Sequence, residues 1–381
     1  MKRLCIGASV ALLTAMTLGS GAAAATPAWR LQTVKAPAGA TDADLRGVSC
    51  PAATACTTVG VYLVNFTSGG PTAAGWDGTR WKAQRVAATV PTQLGGVSCV
   101  ASTQCVAVGS SYDMSTFSSA PAAAVWNGTK WTGKKVPVPA TATGGGTLNG
   151  VSCASATACV AVGSVSVAGS VPLAASWNGT RWKLSKPHAP KASPSSEFWG
   201  VSCATSTSCV AVGESYDASG TNSVPMAQVW NGSSWTVQTV PTPAHAFAVQ
   251  LNSVSCSAAA SCTAVGYYHL NSGSGTITPL IERWNGTSWT VQTSGVAVGV
   301  LWGVSCAASS TCMAVGGLVG AAAIAQQWDG TTWVAKTVPT PAGASNPGLR
   351  SVSCTAANAC TAVGSANASS GHLQDLVERF S

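Results

Sequence analysis

The chain repeats one short pattern seven times, in which two cysteines stand six positions apart between two β-prone runs. An even number of cysteines at constant spacing is typical of a disulfide framework in an oxidising compartment. The five residues between the cysteines, mostly Ala, Ser and Thr, suit a hairpin loop that brings the two sulfurs together. The sequence therefore predicts one disulfide in each repeat. The predicted pairs are Cys50 with Cys56, Cys99 with Cys105, Cys153 with Cys159, Cys203 with Cys209, Cys256 with Cys262, Cys306 with Cys312, and Cys354 with Cys360.

Two other uses of paired cysteines are less compatible with this spacing. A zinc site would require cysteine pairs from different repeats to converge, without a histidine nearby. Redox catalysis usually uses a closer pair of cysteines. We therefore predict structural disulfides, with no metal site and no cofactor.

A second motif, such as WNGTRW at Trp177, follows six of the seven cysteine pairs. Asn-Gly or Asp-Gly between β-prone residues is a strong hairpin signal, because these residues accept the positive φ angles of a two-residue turn. The two indoles then face each other across the hairpin, where an aromatic pair contributes about 0.2 to 1 kcal/mol. We interpret these pairs as packing residues rather than ligand platforms. The motifs begin at Trp76, Trp126, Trp177, Trp230, Trp284 and Trp328.

Each repeat therefore contains four predicted strands of about five residues, two flanking the cysteine loop and two flanking the Asn-Gly turn. The period of roughly 50 residues with four short strands is typical of a β-propeller. The seventh repeat ends at Phe380, which stands in the place of the first Trp, and it lacks a fourth strand. The segment WRLQTV, residues 29–34, has the form of that missing strand. The fold class predicted is all-β: a seven-bladed β-propeller of four-stranded antiparallel blades, the last blade completed by the N-terminal strand.

The first residues have the character of a secretory signal peptide. Lys2 and Arg3 precede an uncharged apolar run that ends in small residues, and the run is too short to favour a retained membrane helix. Cys5 precedes the apolar run, so it is not placed as a lipid-anchor cysteine. We predict a signal peptide at residues 1–25, and a single propeller domain at residues 26–381 that is secreted to the extracellular space and monomeric.

The repeat, with VSC, five residues, C, AVG and then WNGT followed by Trp, resembles the secreted, disulfide-bearing repeat proteins of actinobacteria. Its architecture is similar to the kelch, galactose-oxidase and Asp-box propellers. The sequence departs from the Asp-box pattern because Asp77 and Gly78 are adjacent, whereas one residue separates them in that pattern. The resemblance therefore implies a propeller fold and transfers no catalytic residue.

The order of strands indicates which face of the disc carries function. The cysteine loops and the Asn-Gly turns lie on one face, and the loops that differ between repeats lie on the other, which we call the variable face. On the first strand, the residue two positions before the Val of each GVSC or SVSC motif varies while its neighbours do not, and we expect it to surround the mouth of the central channel. Indole faces suit sugar C–H surfaces, and amides and guanidiniums suit hydroxyls. Apart from Gly95, the predicted ligand-binding residues are Arg46, Asn149, Trp199, Asn252, Trp302 and Arg350.

An alternative is that Trp199 and Trp302 wedge between blades and that the polar members are merely solvated. Catalysis has little support, since the chain has only 11 acidic residues and the sequence does not set the distances between the carboxylates of the variable face. These carboxylates are Asp113, Glu197, Glu214, Asp217 and Asp375. A copper site would need Tyr and His to converge, and Tyr267 to His269 is the only local cluster.

Charge argues against a nucleic-acid partner. Lys2 and Arg3 are two of the 19 basic residues, so the remainder carries 17 against 11 acidic residues, a net charge of +6 without a basic stripe. The function predicted is that of a secreted, non-catalytic protein that binds carbohydrate or a cell-envelope polymer through the variable face. A protein-interaction platform and a glycan-active enzyme are the alternatives.

Overall fold

The computed structural model describes residues 26–65, 68–87, 93–113, 118–190, 193–270, 275–318 and 320–381. These residues form 28 strands in seven four-stranded antiparallel sheets and contain no helix, so none that could cross a membrane. Each sheet is one blade of a β-propeller, and the predicted fold class is confirmed. The predicted signal peptide, residues 1–25, lies outside the described residues.

Within a blade the strands pair in order from the central channel outward. The innermost strands are β2 (Asp42–Ala52), β6 (Gln93–Ala101), β10 (Gly146–Ser155), β14 (Ser196–Thr205), β18 (Ala246–Ala258), β22 (Val300–Ala308) and β26 (Ser345–Ala356). The second strands are β3 (Ala55–Val64), β7 (Gln104–Asp113), β11 (Ala158–Ser166), β15 (Ser208–Tyr216), β19 (Ser261–Leu270), β23 (Thr311–Gly317) and β27 (Ala359–Asn367). The third strands are β4 (Ser68–Trp76), β8 (Ser118–Trp126), β12 (Ser170–Trp177), β16 (Ser223–Trp230), β20 (Ile277–Trp284), β24 (Ala323–Trp328) and β28 (Leu373–Phe380). The outermost strands are β5 (Trp81–Ala83), β9 (Trp131–Lys135), β13 (Trp182–Ser185), β17 (Trp235–Gln238), β21 (Trp289–Val291), β25 (Trp333–Lys336) and, in blade seven, β1 (Trp29–Gln32).

The three inner strands of most blades are longer than the five residues predicted. In blade one the β3–β4 ladder continues to the pair Val64 and Ser68, well into the predicted variable loop. The outermost strands have only 3 to 5 residues. Several carry lysine, such as Lys82 and Lys336, and short charged edges disfavour pairing with another chain.

The two hairpins of each blade form as predicted. All seven disulfides join the cysteines six positions apart, and this number of disulfides indicates an oxidising compartment. In blade three Trp177 pairs with Trp182, and their ring centroids are 5.4 Å apart. Gly179 has a φ of 93°, and the Asn178 Oδ1 accepts hydrogen bonds from the backbone N–H groups of the turn. The packing interpretation of the hairpin Trp pairs fits these contacts.

The hydrophobic core lies between blades rather than within them. Across the junction of blades seven and one, Val363 and Val377 pack with Leu45 and Val48, and all four side chains are buried. Equivalent clusters combine residues of neighbouring blades around the disc. Because each blade buries its faces only against its neighbours, the ring has to close for every face to be covered.

A second ring of contacts joins the innermost strands. The N–H of the first cysteine in each blade donates a hydrogen bond to the serine hydroxyl of the VSC triplet in the preceding blade, at 2.9 to 3.0 Å. The seventh bond runs from Cys50 of blade one to Ser353 of blade seven, so the ring is closed. Neutral hydrogen bonds contribute about 0.5 to 1.5 kcal/mol each. The repeated serine is therefore the residue that links one blade to the next.

Blade seven is completed by the N-terminal strand, as predicted. β1 pairs antiparallel with β28, with Trp29 opposite Phe380 and ring centroids 5.3 Å apart. Trp29 is 5% exposed and belongs to the core cluster of blades six and seven. The first and last strands therefore lie in one sheet.

We expect deletion of residues 26–35 to destabilise the disc, because it removes the buried Trp29 and exposes β28 as an open edge. Loss of a buried Trp costs about 3 to 5 kcal/mol. Thermal unfolding and size-exclusion chromatography of the truncated chain, beside a control that begins at Thr26, measure the effect. An unchanged melting temperature and a monomeric truncated chain would contradict closure by β1.

Two third strands, β20 and β28, each carry a buried carboxyl group. Glu282 and Glu378 are 0% exposed, and neither has a hydrogen-bond partner among the described residues. Burial raises the pKa of each carboxyl to about 8. In blade four the equivalent register position holds Gln228, whose amide exchanges two hydrogen bonds with the backbone of His188. A neutral side chain therefore suits this position.

We expect the disc to lose stability as the pH rises toward 8. The folded state keeps the protons of Glu282 and Glu378 up to about pH 8, whereas the unfolded chain releases them near pH 4.5. Between these values the free energy of unfolding falls by up to about 1.4 kcal/mol per pH unit and per group. Urea unfolding of the Glu282→Gln, Glu378→Gln double variant should show a smaller fall in the free energy of unfolding between pH 4 and pH 8 than wild type. If the variant is more stable than wild type by the same amount at pH 4 and at pH 8, the pH dependence does not come from these two carboxyl groups.

Candidate functional site

The variable position of each innermost strand is a β-bulge. In blade one Leu45 pairs with Gly60 and Gly47 pairs with Val59, so the intervening Arg46 has no partner in the ladder. A bulge re-aims the side chain of its extra residue. The preceding residue is a fully buried Leu or Phe, whereas the bulged residue lines the channel. The same register shift occurs in all seven blades, at Arg46, Gly95, Asn149, Trp199, Asn252, Trp302 and Arg350.

The glycine of the AVG motif makes the bulge possible. A Cβ on Gly163 would overlap the carbonyl oxygen of Thr147 on the neighbouring innermost strand. The equivalent glycines of the other blades, such as Gly213 against Glu197, meet the same obstacle. The constant AVG motif therefore allows the innermost strand to approach closely just where its bulge begins.

A cavity of about 470 Å³ opens at the mouth of the channel, and all six predicted residues line it. The geometric prediction that these positions surround the channel mouth therefore matches the structure, while their binding of a ligand stays a prediction. Below the cavity a narrower space of about 210 Å³ is lined by the same seven bulged residues and the small residues that follow them. The further polar lining residues that the sequence analysis did not identify are Gln93, Ser110, Thr147, Gln250 and Tyr267.

Two arginines share one carboxylate on one side of the cavity. The Nε groups of Arg46 and Arg350 lie 2.9 and 3.0 Å from the two oxygens of Asp44, which also accepts a hydrogen bond from Ser365. Burial alone would raise the pKa of Asp44, but the charges of Arg350 and Arg46 and its hydrogen bonds outweigh burial and lower it. Asp44 is therefore an anion at neutral pH that orients both guanidiniums.

The two asparagines act as links between blades. The Asn149 amide donates to the Phe198 carbonyl at 2.8 Å and to the Glu197 carboxylate at 2.9 Å. Asn252 donates to the Leu301 carbonyl in the next blade, also at 2.8 Å, and accepts from Gln250. These amides are oriented by their interblade contacts, so the side of each group that faces the cavity is held in place.

Trp302 supports part of the alternative interpretation. Its ring packs over Gly317 of its own blade and Gly348 of blade seven, so it lies across the junction. The Arg350 guanidinium lies 5.7 Å from the centre of the same ring. Trp199 is also half-buried, and its indole N–H is shielded from solvent. Trp302 therefore combines interblade packing with a surface that lines the cavity, and Trp199 is a half-buried residue of the same lining.

Two carboxylates of the variable face are direct neighbours. Glu197 on β14 and Glu214 on β15 are register partners, which places their Cβ atoms about 5 Å apart. Glu197 accepts hydrogen bonds from Asn149 and Ser164, whereas burial raises the pKa of Glu214, with a smaller contribution from the Glu197 charge. The pair lies beside the cavity through Asn149, although neither carboxylate is in its lining.

The other three carboxylates of the variable face do not come together in one site. Asp217 accepts hydrogen bonds from Ser219, Thr221 and Asn222 within its own turn. Burial, and to a lesser degree the charge of Asp44, raises the pKa of Asp375 to about 7 at the junction of blades seven and one. Asp113 ends β7, in a different blade from either. In the part of the chain that the structure describes, no three His, Cys, Asp or Glu side chains are grouped as metal ligands.

Tyr267 lies in the wall of the cavity. Its hydroxyl donates to Gln250 at 3.0 Å, and its ring stacks edge-on against His269. Gln93, Thr147 and Gln250 all stand two positions before a bulged residue. The residue at that position varies among otherwise uniform repeats, so the sequence alone could have identified these lining residues.

No family model matches the sequence, and no curated protein matches it. Among solved structures, YCF48 from Cyanidioschyzon merolae is 12% identical, with a TM-score of 0.51 over 93% of this chain and 98% of that one. The structure titled YCF48 bound to D1 peptide is also 12% identical, with a TM-score of 0.52 over 94% of this chain and 98% of that one. An ulvan lyase is 10% identical, with a TM-score of 0.51 over 88% of this chain and 94% of that one. At these identities the similarity shows the β-propeller fold alone.

Proposed function

We propose that this protein is an exported, monomeric, non-catalytic binding protein for carbohydrate or a cell-envelope polymer, and that the ligand enters the cavity at the mouth of the channel. The observation that carries the proposal is the composition of that cavity. Its lining combines two indoles, two guanidiniums, several amides and a phenol in a space of about 470 Å³. This volume is in the range of small-molecule sites.

The groups in the cavity suit a polyhydroxylated ligand. Amides and guanidiniums hydrogen-bond hydroxyls, and an indole surface contacts the C–H groups of a sugar ring. The side chains are held by interblade hydrogen bonds such as Asn149 to Phe198 and Asn252 to Leu301. Groups that are already ordered lose less conformational entropy when a ligand binds. A rigid ring with variable side chains is therefore a suitable scaffold for recognition.

A glycan array, followed by calorimetry with the best ligand, tests the proposal on the chain that begins at Thr26. We expect Trp199→Ala and Trp302→Ala each to weaken binding at least about tenfold, because large aromatics dominate binding energies. Val237→Ala is the matched control, since Val237 is exposed on an outermost strand. Circular dichroism below the melting temperature verifies that each variant is folded.

Two outcomes would overturn this proposal. The first is full affinity of both Trp variants for a confirmed glycan, which would move the site away from the channel mouth. The second is that the protein binds no glycan on the array but does bind a defined peptide, which would favour the protein-interaction platform.

The carboxylate pair supports a glycan-active enzyme as the second candidate. Glu197 and Glu214 are close enough to share one substrate, and the raised pKa of Glu214 suits a general acid beside a second carboxyl group. Glycosidases use two carboxyls in this way, about 5 to 10 Å apart.

Hydrolysis of a panel of chromogenic glycosides measures this second function. If the pair is catalytic, Glu214→Gln should abolish turnover while the substrate still binds. The control is Asp217→Asn, which changes an exposed turn of the same blade. Absence of turnover by the wild-type chain across the panel would leave the binding function alone.

A further inference from the structure

We infer that the ligand of the channel mouth is an anionic sugar chain, one that carries carboxylate or phosphate groups, and that its acidic group binds between Arg46 and Arg350. The inference rests on the proposed function and names the chemical class of its ligand. It is carried by the charges around the cavity and by the way in which both arginines are held.

The charges of the cavity do not balance. Among the described residues that line it, Arg46 and Arg350 carry positive charge and none carries a carboxylate. Asp44 beneath them is the one carboxylate with which both form ion pairs, and it is buried. Asp375, which is close enough to feel the Asp44 charge, is not part of the lining. Two cations thus share one anion, so the side of the cavity lined by Arg46 and Arg350 carries an excess positive charge. Glu197 and Glu214 lie outside the lining, on the side of Asn149.

Both guanidiniums also keep donors for a ligand. Each contacts Asp44 through Nε, at 2.9 Å for Arg46 and 3.0 Å for Arg350. The Nη1 group of Arg46 makes a long contact of 3.3 Å to Gln93. The hydrogen bond of the Arg350 guanidinium to a described residue is made by Nε, to Asp44, so its Nη groups are available to a ligand. The two side chains are 36% and 44% exposed. Guanidiniums held in this way present a planar pair of donors that matches carboxylate or phosphate oxygens.

The surroundings add contacts for the rest of a sugar. Trp302 lies under Arg350, and Gln93, Asn252 and Tyr267 complete the wall of the cavity. A small anion would contact only the two arginines. A sugar residue that bears an acidic group can contact the arginines and also the aromatic and amide side chains of the wall. The arrangement therefore favours a charged sugar over a neutral sugar and over a free anion.

The experiment compares four probes by calorimetry on the wild-type chain that begins at Thr26. These are galacturonic acid oligomers, galactose oligomers of the same length, phosphate-linked galactose oligomers and inorganic phosphate. We expect one of the two anionic oligomers to bind at least about tenfold more tightly than the galactose oligomer and inorganic phosphate, and to weaken with salt. The carboxylate and phosphate oligomers together distinguish the two sources of negative charge.

Two arginine variants test where the acidic group of the ligand binds. Arg46→Gln and Arg350→Gln should each weaken the preferred anionic oligomer about tenfold or more and leave the weak binding of the galactose oligomer unchanged. Arg30→Gln is the matched control, because it removes the same charge from an exposed position on the outermost strand of blade seven. The comparison of ligands on the wild-type chain holds even if an arginine variant fails to fold.

The outcomes separate this inference from the function on which it rests. Galactose oligomers that bind as tightly as the acidic ones would overturn the inference and keep the proposed function. An equal loss in Arg30→Gln would also overturn it, since net charge and not the cavity would then determine binding. Failure of every oligomer here and on the glycan array would overturn the proposed function itself.

Discussion

The hydrogen bond from each cysteine N–H to the serine of the preceding blade is the contact on which the disc depends. At six junctions it joins strands that are about 50 residues apart in sequence, and at the seventh it joins Cys50 to Ser353, which are 303 positions apart. In the VSC triplet the Val packs in the interblade core, the Ser accepts from the next blade and the Cys closes the hairpin. One tripeptide thus stabilises the blade, the junction and the loop.

The bulge next to this triplet lets one position vary without loss of core packing. A Leu or Phe immediately before the bulge fills the core, and a glycine opposite allows the close approach, so these residues are nearly constant. The bulged residue itself has no partner in the ladder and faces the channel. Seven positions around one axis can therefore vary while the ring of blades stays the same. These seven residues, together with several of those two positions before them, determine the chemistry of the channel lining.

The channel mouth has a polar network with two different halves. The Arg46, Asp44 and Arg350 group carries the excess positive charge, whereas the opposite half contains the asparagine links and the Glu197 and Glu214 pair. The asymmetry arises because each blade contributes a different residue at the same geometric position. The channel mouth is therefore chemically asymmetric although the backbone around it is nearly symmetric.

The sequence by itself determined the seven disulfides, the hairpin Trp pairs, the number of blades and closure by the first strand, because these depend on local turn chemistry and on a repeating period. It also indicated the bulged position, since variation within a constant motif is visible along the chain. Only the tertiary structure showed that Arg46 and Arg350 share Asp44, that Asn149 meets Glu197, and that Trp302 spans a junction. These contacts join residues from different blades, and Arg350 and Asp44 are more than 300 positions apart. Their proximity follows from closure of the ring around one axis, which no local pattern specifies.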